Sequence, residues 1–142
     1  MGRVGAGVSG IPTRWVTQIR GQLADAERRL TLAGRRLEEG AGDRALQEAY
    51  PGVMGAALAR VWLADEAWSR HRTLDEYTHL VRQALPSGFV TLAEMRAEAR
   101  AFAGWRAEDA RPLLEEARAF VAAVRAELDR RLAPPAEGAP PR

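Results

Sequence analysis

Cysteine is absent from the 142 residues. That excludes a disulfide framework, a zinc thiolate site and a thiol nucleophile. Lysine is absent as well, so all 21 basic residues are arginine. Arginine keeps its proton to very high pH, so it raises the isoelectric point to about 9.9 while the net charge at pH 7 is only +2. Charge alone therefore gives no argument for nucleic-acid binding. Serine is scarce: Ser9, Ser69 and Ser87 stand outside any nucleophile-elbow pattern. No stretch reads as a convincing strand, so there is no strand–loop–helix phosphate cradle. No apolar run suits a signal peptide or a membrane span. Ala6 stands where a myristoylation signal calls for Ser or Thr. The expectation is a cytoplasmic protein without membrane contact.

What is present is mostly Ala, Leu, Arg and Glu, which favours an all-α fold. Residues 1–10 are glycine-rich and read as a disordered tail, and 133–142 read as a disordered Pro-rich tail. Between them, 11–132 are long enough for one helical bundle with its own core. The expected fold is a four- to five-helix antiparallel bundle.

Its centre is the stretch Asp43–Trp68. From Ala49 to Ala64 it reads AYPGVMGAALARVWLA, with Arg60 the only charge. Leu46, Tyr50, Val53, Ala57, Val61 and Ala64 share one helical face, and Met54, Leu58 and Trp62 cover another. A helix that is apolar nearly all round is normally buried on several sides. Asp43 is placed to cap it. Pro51 implies either a kink or a break, and Gly52 and Gly55 allow a neighbouring helix to come close. Met54, Trp62 and Trp68 exceed what one layer of neighbours covers, which suggests self-association or a protein partner.

The flanking helices are regular. Ile11-Pro12-Thr13 starts the first, and Val16, Ile19, Leu23, Ala26, Leu30, Ala33 and Leu37 form a heptad stripe. Gly40-Ala41-Gly42 stops it. Thr73-Leu74-Asp75-Glu76 has the capping-box form and opens a third helix with Leu74, Tyr77, Val81 and Ala84 inward. Pro86-Ser87-Gly88 ends it. Thr91-Leu92-Ala93-Glu94 reads as a second capping box, with Val90 and Met95 spaced as a hydrophobic staple. Leu92, Met95, Ala99 and Phe102 then face inward, and Gly104 ends that helix. The last helix begins between Arg106 and Asp109. Its stripe is Ala110, Leu114, Ala117, Val121, Val124 and Leu128, flanked by Leu113 and Phe120.

Chemistry-bearing residues are few. His71, Asp75 and His79 are spaced by four and would hold a divalent metal only if one helix spanned all three. Thr73 as the helix start argues against that, so no metal and no cofactor is expected. Arg72 and His79 would serve phosphodiester cleavage if they met, with Arg on the phosphate charge and His moving a proton. Arg72 precedes the cap and His79 lies about two turns on, roughly 10 Å along the axis. The plain alternative is an exposed arginine and a surface histidine.

Three segments, LADAERRLTLAGRRLEEG, GDRALQEAYPGVMGAALARVWLA and AEDARPLLEEARAFVAAVRAEL, follow one another in an order that resembles the HEPN domain. The resemblance covers roughly 15–132. It implies a small helical domain, often dimeric, in many cases accompanying a nucleotidyltransferase or another toxin–antitoxin or defence partner. Other members are metal-independent ribonucleases with an Arg-x(4–6)-His motif built across a dimer. Here only Arg72 and His79 have that spacing, and Thr73 follows the arginine where the family usually has Asn, Asp or His. The resemblance therefore implies a non-catalytic module binding a nucleotide or a partner protein. A ribonuclease using Arg72 and His79 is one alternative, and a small helical subunit of a nucleoprotein assembly is another.

Overall fold

The structure is a computed structural model and describes residues 11–65, 73–96 and 104–133. The side chains of 65, 91 and 93–96 are outside that description. Five α-helices follow in order: α1 Thr13–Glu38, α2 Gly42–Asp65, α3 Leu74–Ala84, α4 Ser87–Arg96 and α5 Ala107–Leu132. The chain is an all-α helical bundle. The expected tails, and the expectations for Trp68, Ala99 and Phe102, fall outside the described residues.

The heptad stripe of α1 is buried residue for residue, from Val16 to Leu37, and so is the stripe of α5 from Ala110 to Leu128, joined by Phe120. The periodicity of each helix matches its apolar face to the core, so local sequence and tertiary burial agree. Between them α2 buries one face with Ala45, Ala49, Val53, Ala56, Ala59 and Leu63 and the adjoining face with Leu46, Tyr50, Ala57 and Val61. Arg44, Gln47 and Pro51 on the opposite side are exposed. Leu58, expected deep in the core, is only partly buried.

Close contacts fix the directions of these helices. A Cβ on Gly52 would lie 3.1 Å from Ala26 Cα, and one on Gly55 would strike the Gln22 amide. As α2 advances, its partners in α1 recede, so the two are antiparallel. Arg125 makes a forked ion pair with Glu27, Nε to Oε2 at 3.1 Å and Nη2 to Oε1 at 2.8 Å. Arg118 lies over Gly34. Hence α5 is antiparallel to α1 as well. The start of α2 abuts the start of α5, Gly42 against the Arg106 backbone. Near the far ends, Arg131 donates to the Leu63 carbonyl at 2.7 Å. So α2 and α5 run in the same sense, and α3 and α4 lie in the connection between them.

Several helix ends differ from the sequence expectation. Gly40, at φ 79°, terminates α1 as expected. Pro12 is the N-cap of α1 rather than a first-turn residue. Asp43 is not a cap: Ala45 donates to the Ala41 carbonyl at 3.0 Å, so α2 begins two residues earlier than a cap at Asp43 would give, and the Asp43 carboxylate accepts from the Arg44 amide at 2.8 Å. The helix then runs through Pro51 without a break. Trp62 is not left uncovered, because Trp15 meets it edge to face with ring centroids 5.1 Å apart.

The second expected capping box is overridden. Phe89 and Val90 already donate to the Pro86 carbonyl at 2.9 and 3.2 Å, so Thr91 is inside α4 and opens nothing. One free amide at this helix start is met from another helix. Glu116 of α5 accepts from the Gly88 amide at 3.1 Å and from the Ser87 hydroxyl at 3.2 Å. A carboxylate at a helix N-terminus satisfies orphan donors and faces the positive end of the dipole. Glu116→Ala should therefore cost about 1 kcal/mol, the usual effect of losing a cap. Native-state hydrogen exchange should show Gly88 and its neighbours opening faster while the α1 amides are unchanged. Equal protection in both chains would remove Glu116 as the cap.

Candidate functional site

The capping box at the start of α3 is complete: Thr73 N–H donates to Glu76 Oε1 at 2.7 Å and Glu76 N–H donates to Thr73 Oγ1 at 3.1 Å. It fixes where α3 starts, and so which residues face α2. Leu74, Tyr77, Thr78 and Val81 recur at helical spacing and meet Met54, Gly55 and Leu58 of α2. The result is an apolar groove of about 320 Å³. Its floor is carbon: Val81 is buried, and Met54, Leu58 and Tyr77 are partly buried. Besides the Tyr77 phenol, Thr78 brings the one polar group along it, and its hydroxyl already donates to the Leu74 carbonyl at 2.9 Å.

Leu74 stands at the rim, 80% exposed, the only large apolar side chain so exposed among the described residues. The sequence placed Leu74 on the inward face of its helix. The face is right, but Leu74 sits at the first turn, beyond the cover that α2 provides. An amphipathic pattern gives the face and not the depth of burial.

Two other concavities flank this one. Across Gly55, where the Gln22 amide lies, a trough of about 700 Å³ runs along α1 between Arg14, Gln18, Gln22 and Asp25. Its lining is polar, so it forms a hydrophilic shoulder to the groove. On the other side of α3, Arg60 and Gln83 edge a hollow of about 480 Å³ with Val61, Leu80 and Leu85. The Arg60 guanidinium sits 5.9 Å from the centre of the Phe120 ring, a cation–π contact.

In the trough, Arg29 Nε donates to Asp25 Oδ2 at 2.8 Å, and Arg28 also pairs with this carboxylate. The Arg29 hydrogen bond holds the Asp25 carboxyl below its ordinary range; burial opposes it and Arg28 adds to it. The folded value lies below the unfolded one, so the unfolded chain binds more protons in the window between them. The stabilisation is full above the ordinary aspartate range and is lost as pH falls through the folded value. Asp25→Asn should remove that part of the acid sensitivity in a urea-unfolding series. The pair is solvent-exposed, so the change is small. An unchanged acid limb would show that the pair contributes nothing.

Arg72 and His71 are outside the described residues. His79 is exposed on α3, about 150° round the helix from the groove-facing side at 100° per residue. Asp75 shares that outer side. Among the described residues no three His, Asp or Glu side chains are grouped to hold a metal. No described helix is long and apolar enough to cross a membrane. The chain matches no protein-family model, no curated protein and no solved structure.

Proposed function

We propose that this chain is a non-catalytic, HEPN-like helical module that docks a partner protein in the groove between α2 and α3. One observation carries the reading: a largely exposed leucine, Leu74, stands over a groove floored by Met54, Leu58, Tyr77 and Val81. An apolar centre beside the polar Gln22 shoulder is the arrangement that protein interfaces use. The lining of the groove includes no cation to hold a phosphate, so a protein suits it better than a nucleotide. A nucleotidyltransferase, the partner that the HEPN resemblance implies, is the first to test.

The test compares wild type with Leu74→Asp. Leu74 is exposed, so the substitution leaves the core intact. A stoichiometric partner, identified by mass spectrometry, should be retained by wild type and lost from the variant. Retention by both would remove the groove from the function. The ribonuclease reading has its own assay, RNA incubated with the protein in chelator. The expected result is no cleavage. Cleavage abolished by both Arg72→Ala and His79→Ala, with folds intact, would replace this reading with a HEPN ribonuclease.

A further inference from the structure

We infer that the hollow on the other side of α3 is a binding site for a small amphipathic carboxylate, with the carboxylate head on Arg60 and a short apolar body over Val61, Leu80 and Leu85. The hollow shares no lining residue with the α2–α3 groove. The inference therefore stands apart from the docking reading.

The cation comes first. Arg60 is the only charge between Ala49 and Ala64. Its side chain is exposed and has no carboxylate partner among the described residues. What it does have is the Phe120 ring, 5.9 Å away. A ring face attracts the cation but cannot accept the paired, charge-assisted hydrogen bonds of a carboxylate. The planar fork of Arg60 is thus unspent. From the α3 side, the one polar side chain at the hollow is Gln83, which is uncharged. No acid of the lining competes for Arg60 there.

The charge of the head follows from the neighbours on α5. Arg60 also lines a cleft of about 340 Å³ that it shares with Glu127. That carboxylate is already paired with Arg130 and with Arg131. Arg131 in turn donates to the Leu63 carbonyl at 2.7 Å. So Glu127 is engaged elsewhere, and the two other arginines are engaged with it. One unspent guanidinium matches one negative charge. A phosphate dianion would leave its second charge over an apolar surface, which is costly.

The body follows from the floor. Val61 and Leu85 are buried, and Leu80 and Ala84 are partly buried beside them. The hollow measures about 480 Å³, within the range of roughly 300–1,000 Å³ usual for small-molecule sites. An apolar floor edged by one cation and one amide is the lining that a ligand with an apolar body and a single charged end fills.

Two-dimensional NMR of the full chain, titrated with octanoate, tests the site. Octanoate should bind saturably and shift the amides of 60–64 and 80–85. 1-Octanol has the body without the charge, acetate the charge without the body, and octylammonium the opposite charge. Each should bind at least about tenfold more weakly than octanoate. Arg60→Gln should weaken octanoate binding about tenfold, as loss of a charge-assisted hydrogen bond does. Leu80→Ser should weaken it as well. Arg82→Gln removes an exposed arginine of α3 outside the hollow and should change nothing. The comparison of ligands on wild type needs no variant to fold. Octanol binding as tightly as octanoate would overturn the inference, as would equal octanoate binding by wild type and Arg60→Gln. So would a titration that does not saturate, or shifts centred on Met54, Leu58 and Tyr77, which would put the ligand in the docking groove.

Discussion

Leu114→Ala should lower the free energy of unfolding by about 2–5 kcal/mol. Leu114 is 2% exposed and lies in the first half of the α5 stripe, between Ala110 and Ala117, both fully buried. Its neighbours in the stripe are therefore too small to spread into the space it leaves. Further along α5, the Arg125–Glu27 fork ties it to α1 and Arg131 on the Leu63 carbonyl ties it to α2. With small neighbours on its own helix, the site has little to fill the cavity with, and the cost is that of a cavity in a packed core. Val61→Asp should be at least as severe. Val61 is 6% exposed, and a carboxylate there either gives up its charge or drags water into the core. Urea denaturation followed by circular dichroism measures both. A loss under about 1 kcal/mol for each would mean that these stripes are not the core.

The second large effect is a difference in sign between two glycines. Gly21 lies in the exposed middle of α1, and a Cβ there meets nothing within 4 Å. Gly21→Ala should stabilise by about 1 kcal/mol, through the lower conformational freedom of alanine in the unfolded chain. Gly42 lies in the first turn of α2 and the same propensity gain applies. There, however, the added carbon would sit 2.5 Å from the Arg106 carbonyl carbon and 2.6 Å from the Trp105 carbonyl oxygen. Those atoms are backbone and cannot swing aside as a side chain would. Forcing the contact costs about 1–3 kcal/mol, so Gly42→Ala should be destabilising overall. Thermal unfolding of the two variants beside wild type decides it. Stabilisation by both would show that α5 shifts freely away from the start of α2.

The same contact explains a boundary that sequence reasoning missed. Asp43 after a glycine reads as an N-cap, and nothing local says otherwise. Gly42 is buried against the turn before α5, a segment more than sixty residues further along the chain. Helix α4 repeats the pattern. Thr91 and Glu94 have capping-box spacing, yet α4 starts at Ser87, where Glu116 supplies the acceptor for the Gly88 amide and the Ser87 hydroxyl. By contrast the box at Thr73 closes within its own four residues, and it was readable in full. The candidate site divides likewise. The apolar face of α3 follows from its spacing. The exposure of Leu74 does not, because it depends on where α2 ends its cover.

By itself the sequence determined the helical class, the two long apolar stripes of α1 and α5, the broad apolar surface of α2 and the start of α3. Each of these is set by 3.6-residue periodicity or by bonds between residues a turn apart, so nothing distant is needed to fix them. Only the tertiary structure decided that α2 and α5 run in the same sense, that Trp15 covers Trp62, that Glu116 starts α4 and that Leu74 is left over a groove. Those outcomes turn on which helix faces reach one another across the bundle. A sequence pattern fixes the face of each helix, but not the partner that face will meet.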